Sequence, residues 1–487
     1  MAQPFSEPCG RGVIDAEPCP RELGREISPR RRRMVLAACV LASSMAFIDG
    51  SALTVALPKL RADLGAGLAT VQWVLNGYVL ALASLTLIGG ALADTYGKAR
   101  MLALGCILFG LASAGCAMAP SAGWLIAARV VQGVAAAILT PASLALIGAS
   151  YPKGERNRAI AVWAAASALT TAGGPVLGGW LTDAFGWPMV FWINPPLALA
   201  AVGILMGSAL EDRRQPRRFD VIGAALLAGS LGALAFALSQ MGLGEPRGDG
   251  IASSPAATTV AVISAIGAGG LILYAFWETR SDHPMTPPRL VENRAFLGLN
   301  IATLLVYAGL SIMFFLLPFE LVDRRGISAT DAGLAFLPFT LGVGLLSRAF
   351  GSLADSVGPR AMLIAGPIGA ALAYVWMGLG QEASLLFGVI GPMAVLGVSF
   401  AVLVAPLTAS VMSSVDQSDE GLASGINNAA SRIAQLVGVA LAAGAATFAS
   451  GYTLSLAAAA VASLAGALAI AAMVPGPLAG SDGGREK

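Results

Sequence analysis

Two ionisable residues stand inside otherwise apolar runs: Asp49 in SMAFIDGSALTVALP (residues 44–58) and Arg129 in LIAARVVQGVAAA (residues 125–137). A charge at the centre of a membrane helix costs about 2.5–3.5 kcal/mol on insertion scales, so it needs a partner or a purpose. Asp49 lies nine residues before Pro58, and Arg129 eight residues after Ser121. If one run passes outward and the other inward, both sit roughly 12 Å below the same surface at 1.5 Å of rise per residue. An acid and a base at one depth offset each other's burial and form a coupled titrating pair. In that reading Asp49 exchanges protons with the outside and Arg129 sets its affinity for them. The plainer alternative is a permanent ion pair that only fixes one helix against another.

The elements that must position such a pair are membrane helices. The chain is 56% hydrophobic and only 12% charged, with a mean hydropathy of +0.75, far from the roughly 25% charged content of soluble domains. With about 20 apolar residues needed per span, fourteen segments are expected, near 34–57, 70–93, 101–118, 122–148, 159–181, 188–210, 221–241, 256–277, 296–319, 332–353, 361–379, 384–412, 431–449 and 452–474. The run after Arg30, Arg31, Arg32 and Arg33 is too long for a signal-peptide core and is read as an uncleaved first helix. Lys and Arg concentrate on the side of that tail, at Lys98, Arg100, Lys153, Arg156, Arg158, Arg213 and Arg360, and are sparse on the other. By the positive-inside bias, both termini are cytoplasmic.

Several function classes are excluded. Gly97-Lys98 lacks the earlier glycine of a phosphate loop, and no soluble stretch is long enough for an ATPase domain. Five cysteines, in the tail or in expected spans, and the single His283 offer neither a disulfide framework nor a His/Cys metal cluster. An internal repeat is more informative. Gly90, Leu92, Ala93, Asp94 and Gly97 of GALADTYGKAR match Gly351, Leu353, Ala354, Asp355 and Gly358 of GSLADSVGPR at a constant offset of 261 residues. The same offset carries the first six segments onto the last six. The expected organisation is a tail over 1–29, a six-helix bundle over 30–210, a linker with two inserted helices over 211–294, a second six-helix bundle over 295–474 and a tail over 475–487. Repeated bundles of this kind rock about a site near the bilayer midplane.

Further motifs fall at particular segments. The loop GALADTYGKAR carries Gly90, Asp94, Gly97 and Arg100, and the fourth segment carries Leu125, Arg129, Gln132 and Gly133. TTAGGPVLGG carries Gly174, Pro175, Gly178 and Gly179, FIDGSALTVALP, QWVLNGYVL and FWINPP fall at other segments, and GLASGINNAA precedes the thirteenth. Together they resemble the major facilitator superfamily, specifically its fourteen-helix drug:proton antiporter branch, over about Met34 to Val474. The resemblance implies an all-α integral membrane protein with the major facilitator fold, two six-helix bundles plus two inserted helices. It implies proton coupling at Asp49 and Arg129. It also implies a gating loop at Gly90, Asp94, Gly97 and Arg100, with repeat partners Gly351, Asp355 and Gly358, in which Asp94 is a cytoplasmic latch. The motif at Gly174, Pro175, Gly178 and Gly179 marks exporters, although the same small residues also serve close helix packing. Phe47, Trp73, Asn76, Tyr78 and Gln132 are candidates for the substrate cavity, and Glu320 reads as a solvated acid at the outer end of the ninth segment.

The expected function is therefore a non-enzymatic, proton-coupled antiporter of the bacterial inner membrane, exporting lipophilic drugs, cationic or antibiotic-like. Its energy source is the proton gradient, with no cofactor. Its partners are a small lipophilic substrate, protons and the lipid bilayer, with no nucleic acid and a periplasmic adaptor left open. The alternative is an uptake symporter or a more specific metabolite exporter on the same fold.

Overall fold

The computed structural model describes residues 28–207, 220–241, 257–281, 290, 292–416, 420–445 and 450–475. The expected terminal tails and parts of the 211–294 linker lie outside the described residues. All regular structure among the described residues is helical, because in lipid only a helix or a closed barrel satisfies every backbone donor and acceptor within itself.

The helices are α1 (Pro29–Asp63), α2 (Leu68–Tyr96), α3 (Lys98–Ala117), α4 (Ala122–Ser150), α5 (Lys153–Phe185), α6 (Pro188–Trp192), α7 (Asn194–Gly207), α8 (Val221–Met241) and α9 (Ala257–Glu278). They continue with α10 (Arg294–Phe319), which runs into a π-helical turn (Glu320–Arg324), then α11 (Ala329–Leu334), α12 (Leu337–Val357) and α13 (Pro359–Leu379). A second π-helical turn (Leu386–Ile390) leads into α14 (Gly391–Ser413), followed by α15 (Glu420–Ala445) and α16 (Gly451–Met473).

The repeat is visible in the backbone. The offset of 261 carries Leu68 to Ala329, Tyr96 to Val357 and Lys98 to Pro359, the bounds of equivalent elements. Gly97 (φ 107°) and Gly358 (φ 92°) separate those elements in the left-handed region that favours glycine.

Three expected segments differ from the observed helices. The segment 188–210 is two helices broken at Ile193, where Pro195 and Pro196 cannot donate to the preceding turn. The segment 332–353 is α11 and α12, parted just before Pro338. The segment 431–449 belongs to a helix that begins earlier, at Glu420. Among the described residues, eleven helices are long and apolar enough to cross a bilayer. They become twelve when the limbs of α2, bent by 54° between Thr86 and Ile88, count as one span. Fourteen is not reached on this measure: α8 contributes a shorter apolar stretch, Ala225–Leu234, and α15 is interrupted by Asn427, Asn428, Arg432 and Gln435.

Helices α1 to α7 pack mainly on one another, as do α10 to α16, while α9 pairs with α8, and α8 leans on α2 and α15. Tyr151 Oη donates to the Arg32 carbonyl at 2.9 Å and Arg32 pairs with Glu155 at 3.3 Å, so the start of α1 and the α4–α5 turn share one face. On the opposite face, here the far face, the two sets of helices meet. One apolar core runs through both sets there, joining Leu53, Leu57 and Leu181 to Phe315, Phe336 and Phe339. A separate core around Cys39, Phe109 and Leu139 belongs to the first set alone.

Candidate functional site

Asp49 and Arg129 meet. Both are fully buried, and Arg129 Nη1 is ion-paired to Asp49 Oδ2. The fork of the guanidinium is used in several directions: Nε donates to the Val74 carbonyl at 3.0 Å, and Nη1 also donates to Gln132 Oε1 at 2.7 Å. The Tyr78 ring lies 4.2 Å from the guanidinium carbon, where the ring face attracts a cation. Gln132, three residues along α4 and hence on the same face, donates from Nε2 to Asp49 Oδ1 at 2.8 Å. Gly133 is what allows α2 this close, since a Cβ there would meet the Tyr78 carbonyl at 2.4 Å.

A third donor to Asp49 comes from the broken sixth segment. Asn194 Nδ2 donates to Asp49 Oδ1 at 3.2 Å and to Ser113 Oγ at 3.0 Å. Ser113 Oγ in turn donates to the Phe191 carbonyl at 2.8 Å. That carbonyl lacks the usual helical donor because the residue four positions on is Pro195, which has no N–H. Asn194 and Ser113 were not singled out from sequence. The signal was present in FWINPP, where an amide sits at a proline-forced break, and a hydroxyl must then meet the stranded carbonyl. The network ties α1, α3, α4 and α7 around one carboxylate.

The small residues of α5 bring α1 into place. A Cβ on Gly174 would meet Ser51 Oγ at 1.8 Å, and one on Gly178 would meet the Ala52 carbonyl at 2.2 Å, a turn or less beyond Asp49. Gly179 faces the other set of helices, its added Cβ meeting the Ala329 carbonyl at 2.2 Å, and the Pro175 carbonyl lies 2.3 Å from a Cβ placed on Gly333 of α11. At the far end of α5, Asp183 accepts from Ala329 N at 3.2 Å, Thr330 N at 2.8 Å and Thr330 Oγ1 at 2.6 Å. Arg61 and Asp323 pair across the same face at 3.5 Å. Glu320, expected to be solvated, is instead buried and pairs with Arg324 at 2.8 Å and Arg325 at 3.3 Å. The π-helical turn and the residue that caps it, Arg325, bring these three together.

In the loop expected to gate, Asp94 pairs with Lys98 at 3.5 Å, and Arg100 is exposed nearby. Gly90 and Gly351 occupy matching places: an added Cβ would lie 3.7 Å from Pro141 and 3.4 Å from Ala405, respectively. The side chain of Asp355 lies outside the described residues.

A cavity of about 330 Å³ separates the two sets of helices and is lined by residues from both. Of the residues named from sequence, Phe47, Asn76 and Tyr78 line it. Gln132 and Trp73 do not: Gln132 is drawn into the Asp49 network, and Trp73 packs on Phe236 of α8 with ring centroids 6.0 Å apart. Arg129 forms part of the wall, whereas Asp49 lies behind it. Opposite are Phe314, Phe315 and Phe339, with Arg432 and Gln435 of α15. Arg432 was not anticipated because the span containing it was expected to start at residue 431, where an arginine would reach the interface. With α15 beginning at Glu420, it lies mid-helix.

A model of the Major Facilitator Superfamily matches residues 39–280 and 299–487. Similar proteins include the multidrug resistance protein Stp of Mycobacterium tuberculosis, 32% identical over 415 residues, covering 85% of this chain and 75% of the relative. The cephamycin export protein CmcT of Amycolatopsis lactamdurans is 34% identical over 416 residues, covering 83% of each. The puromycin resistance protein pur8 of Streptomyces alboniger is 32% identical over 422 residues, covering 84% of this chain and 81% of the relative. Among solved structures, a POT peptide transporter in complex with sulfate superposes with a TM-score of 0.68 at 15% identity, covering 91% of this chain and 94% of the other. That last likeness is one of fold.

Proposed function

We propose that this chain, which belongs to the Major Facilitator Superfamily, is a drug efflux transporter exchanging protons for lipophilic small molecules across the bacterial inner membrane. The relatives named for multidrug resistance, cephamycin export and puromycin resistance support efflux. The observation that carries the coupling is the fully buried Asp49, held by Arg129, Gln132 and Asn194 one residue's thickness behind the wall of the central cavity.

The arginine-rich face is taken as cytoplasmic, which makes the far face periplasmic and places both termini inside. In this assignment α8 and α9 are the two inserted spans of a fourteen-helix architecture, between bundles over 30–210 and 295–474. The conformation described is then closed to the periplasm by α5 against α11. Protonation of Asp49 removes the charge that holds Arg129 Nη1 and weakens the tie between α1 and α4. Deprotonation restores it. Alternation between the two lets one proton enter per cycle, contributing about 2.3 kcal/mol per 100 mV of membrane potential, with the gradient as energy source and no cofactor. The loop at Asp94 and Lys98 lies on the cytoplasmic face, where it would engage when that side closes.

The reading is tested by expressing the protein in a drug-sensitive host and following a fluorescent lipophilic compound. Export lowers its accumulation, and a protonophore abolishes the difference. Accumulation above that of the host without the protein would instead indicate uptake and would overturn export.

A further inference from the structure

The lining of the central cavity is unbalanced in charge. Among its described lining residues are two arginines, Arg129 and Arg432, and no aspartate or glutamate. Arg129 is neutralised from behind by Asp49. Among the described residues Arg432 has no acidic partner: its Nη1 donates to the amide oxygen Gln435 Oε1 at 3.1 Å, so its charge is left facing the cavity.

The hydrogen-bonding capacity is unbalanced in the same sense. Asn76, 1% exposed, has an Nδ2 with no acceptor, and the fully buried Arg129 has an unused Nη2. Both residues line the cavity. A buried donor without an acceptor is costly, and here two such donors and one uncompensated cation surround the same space. The rest of the lining is mostly apolar, with Phe314, Phe315 and Phe339 across from Phe47, and adds the neutral hydroxyls of Ser51, Thr54, Thr140, Thr171 and Ser311. Aromatic faces can attract cations, but an arginine without a counter-ion in the same wall repels them.

We propose that the cavity is a binding site for amphipathic anions: an acidic head group, of carboxylate type, held by Arg432 with help from Asn76 and the free edge of Arg129, and an apolar body against the phenylalanines. This deepens the efflux reading and rests on it for the direction of transport, but the binding site stands on the cavity alone. Of the lipophilic drugs expected from sequence, cationic or antibiotic-like, it favours acidic ones over cationic ones. Export of one anion against one proton moves two charges in the direction the membrane potential favours, so transport is electrogenic.

The test uses three fluorescent probes of similar body: dansyl-leucine, a carboxylate; dansyl-leucinamide, its neutral counterpart; and dansylcadaverine, an ammonium. Binding is titrated with the full-length protein in nanodiscs, and transport is followed in energised inverted vesicles. The parent is expected to bind dansyl-leucine at least tenfold more tightly than the amide. Arg432→Gln is expected to lose that preference and Arg432→Lys to keep part of it. Gln435→Glu, which places a carboxylate beside an intact Arg432, is expected to abolish the preference as well, so the inference does not depend on folding of the glutamine variant. Equal binding of acid and amide by the parent, or a preference that survives both Arg432→Gln and Gln435→Glu, overturns the proposal. If the preference holds but none of the probes moves, the export reading fails while the anion site stands. If dansylcadaverine is exported and dansyl-leucine is neither bound nor moved, the reverse is true.

Discussion

Asp49 is a carboxylate whose every strong contact comes from another helix: Arg129 and Gln132 on α4, and Asn194 on α7. Removing one member of a buried ion pair typically costs 3–5 kcal/mol, because the other is stranded. Arg129→Ala should therefore lower stability by about that much, read as an earlier thermal midpoint in detergent. Arg129→Lys should recover only part, since an ammonium cannot serve Val74, Gln132 and Asp49 from one planar fork. Asn194→Ala removes one hydrogen bond to a charged group and should cost less, about 1.5–3 kcal/mol. The pairing of Asp49 with Arg129 was legible in the sequence because depth along a helix is simple counting. Asn194 was not, because its place depends on the break that Pro195 imposes and on which carbonyl that break leaves open. Arg432 escaped for a third reason: Asn427, Asn428 and Ser431 made the start of α15 look like a loop.

At the scale of elements, the glycines of α5 divide into two groups. Gly174 and Gly178 touch α1 within one bundle, whereas Gly179 touches Ala329 across the interface between bundles. Gly178→Ala should therefore impair folding or the position of Asp49. Gly179→Ala should leave the first bundle intact and push the far face open. Nitroxide labels at Asp63 and Leu334, on exposed positions of that face, should report a longer mean distance in Gly179→Ala than in the parent; an unchanged distance would show that α5 and α11 do not form the closure. Asp183→Ala removes the carboxylate that receives both backbone donors at the start of α11. It should raise the rate at which a membrane-impermeant thiol reagent reaches a cysteine placed at Ser51. The fold was readable at this level because Gly97 and Gly358 recur at a fixed offset. The split of α11 from α12 was not, because hydropathy alone does not register where Pro338 restarts a helix.

For the whole molecule, one core continuous across the far face and a separate core in the first bundle describe a protein closed on one side. Rocking between closure on either side requires that something change the balance between the bundles. We propose that this change occurs at Asp49, which pairs with Arg129 of the cavity wall and does not itself line the cavity in the conformation described. The most direct measurement is proton movement itself. In inverted vesicles, substrate-induced proton release is compared between the parent and Asp49→Asn at matched expression, using whichever dansyl probe the parent exports. The variant is expected to fold and bind the probe but to release no protons on its addition. Proton release and transport equal to the parent's would contradict it, leaving Asp49 a structural tie between helices and moving the coupling to another group.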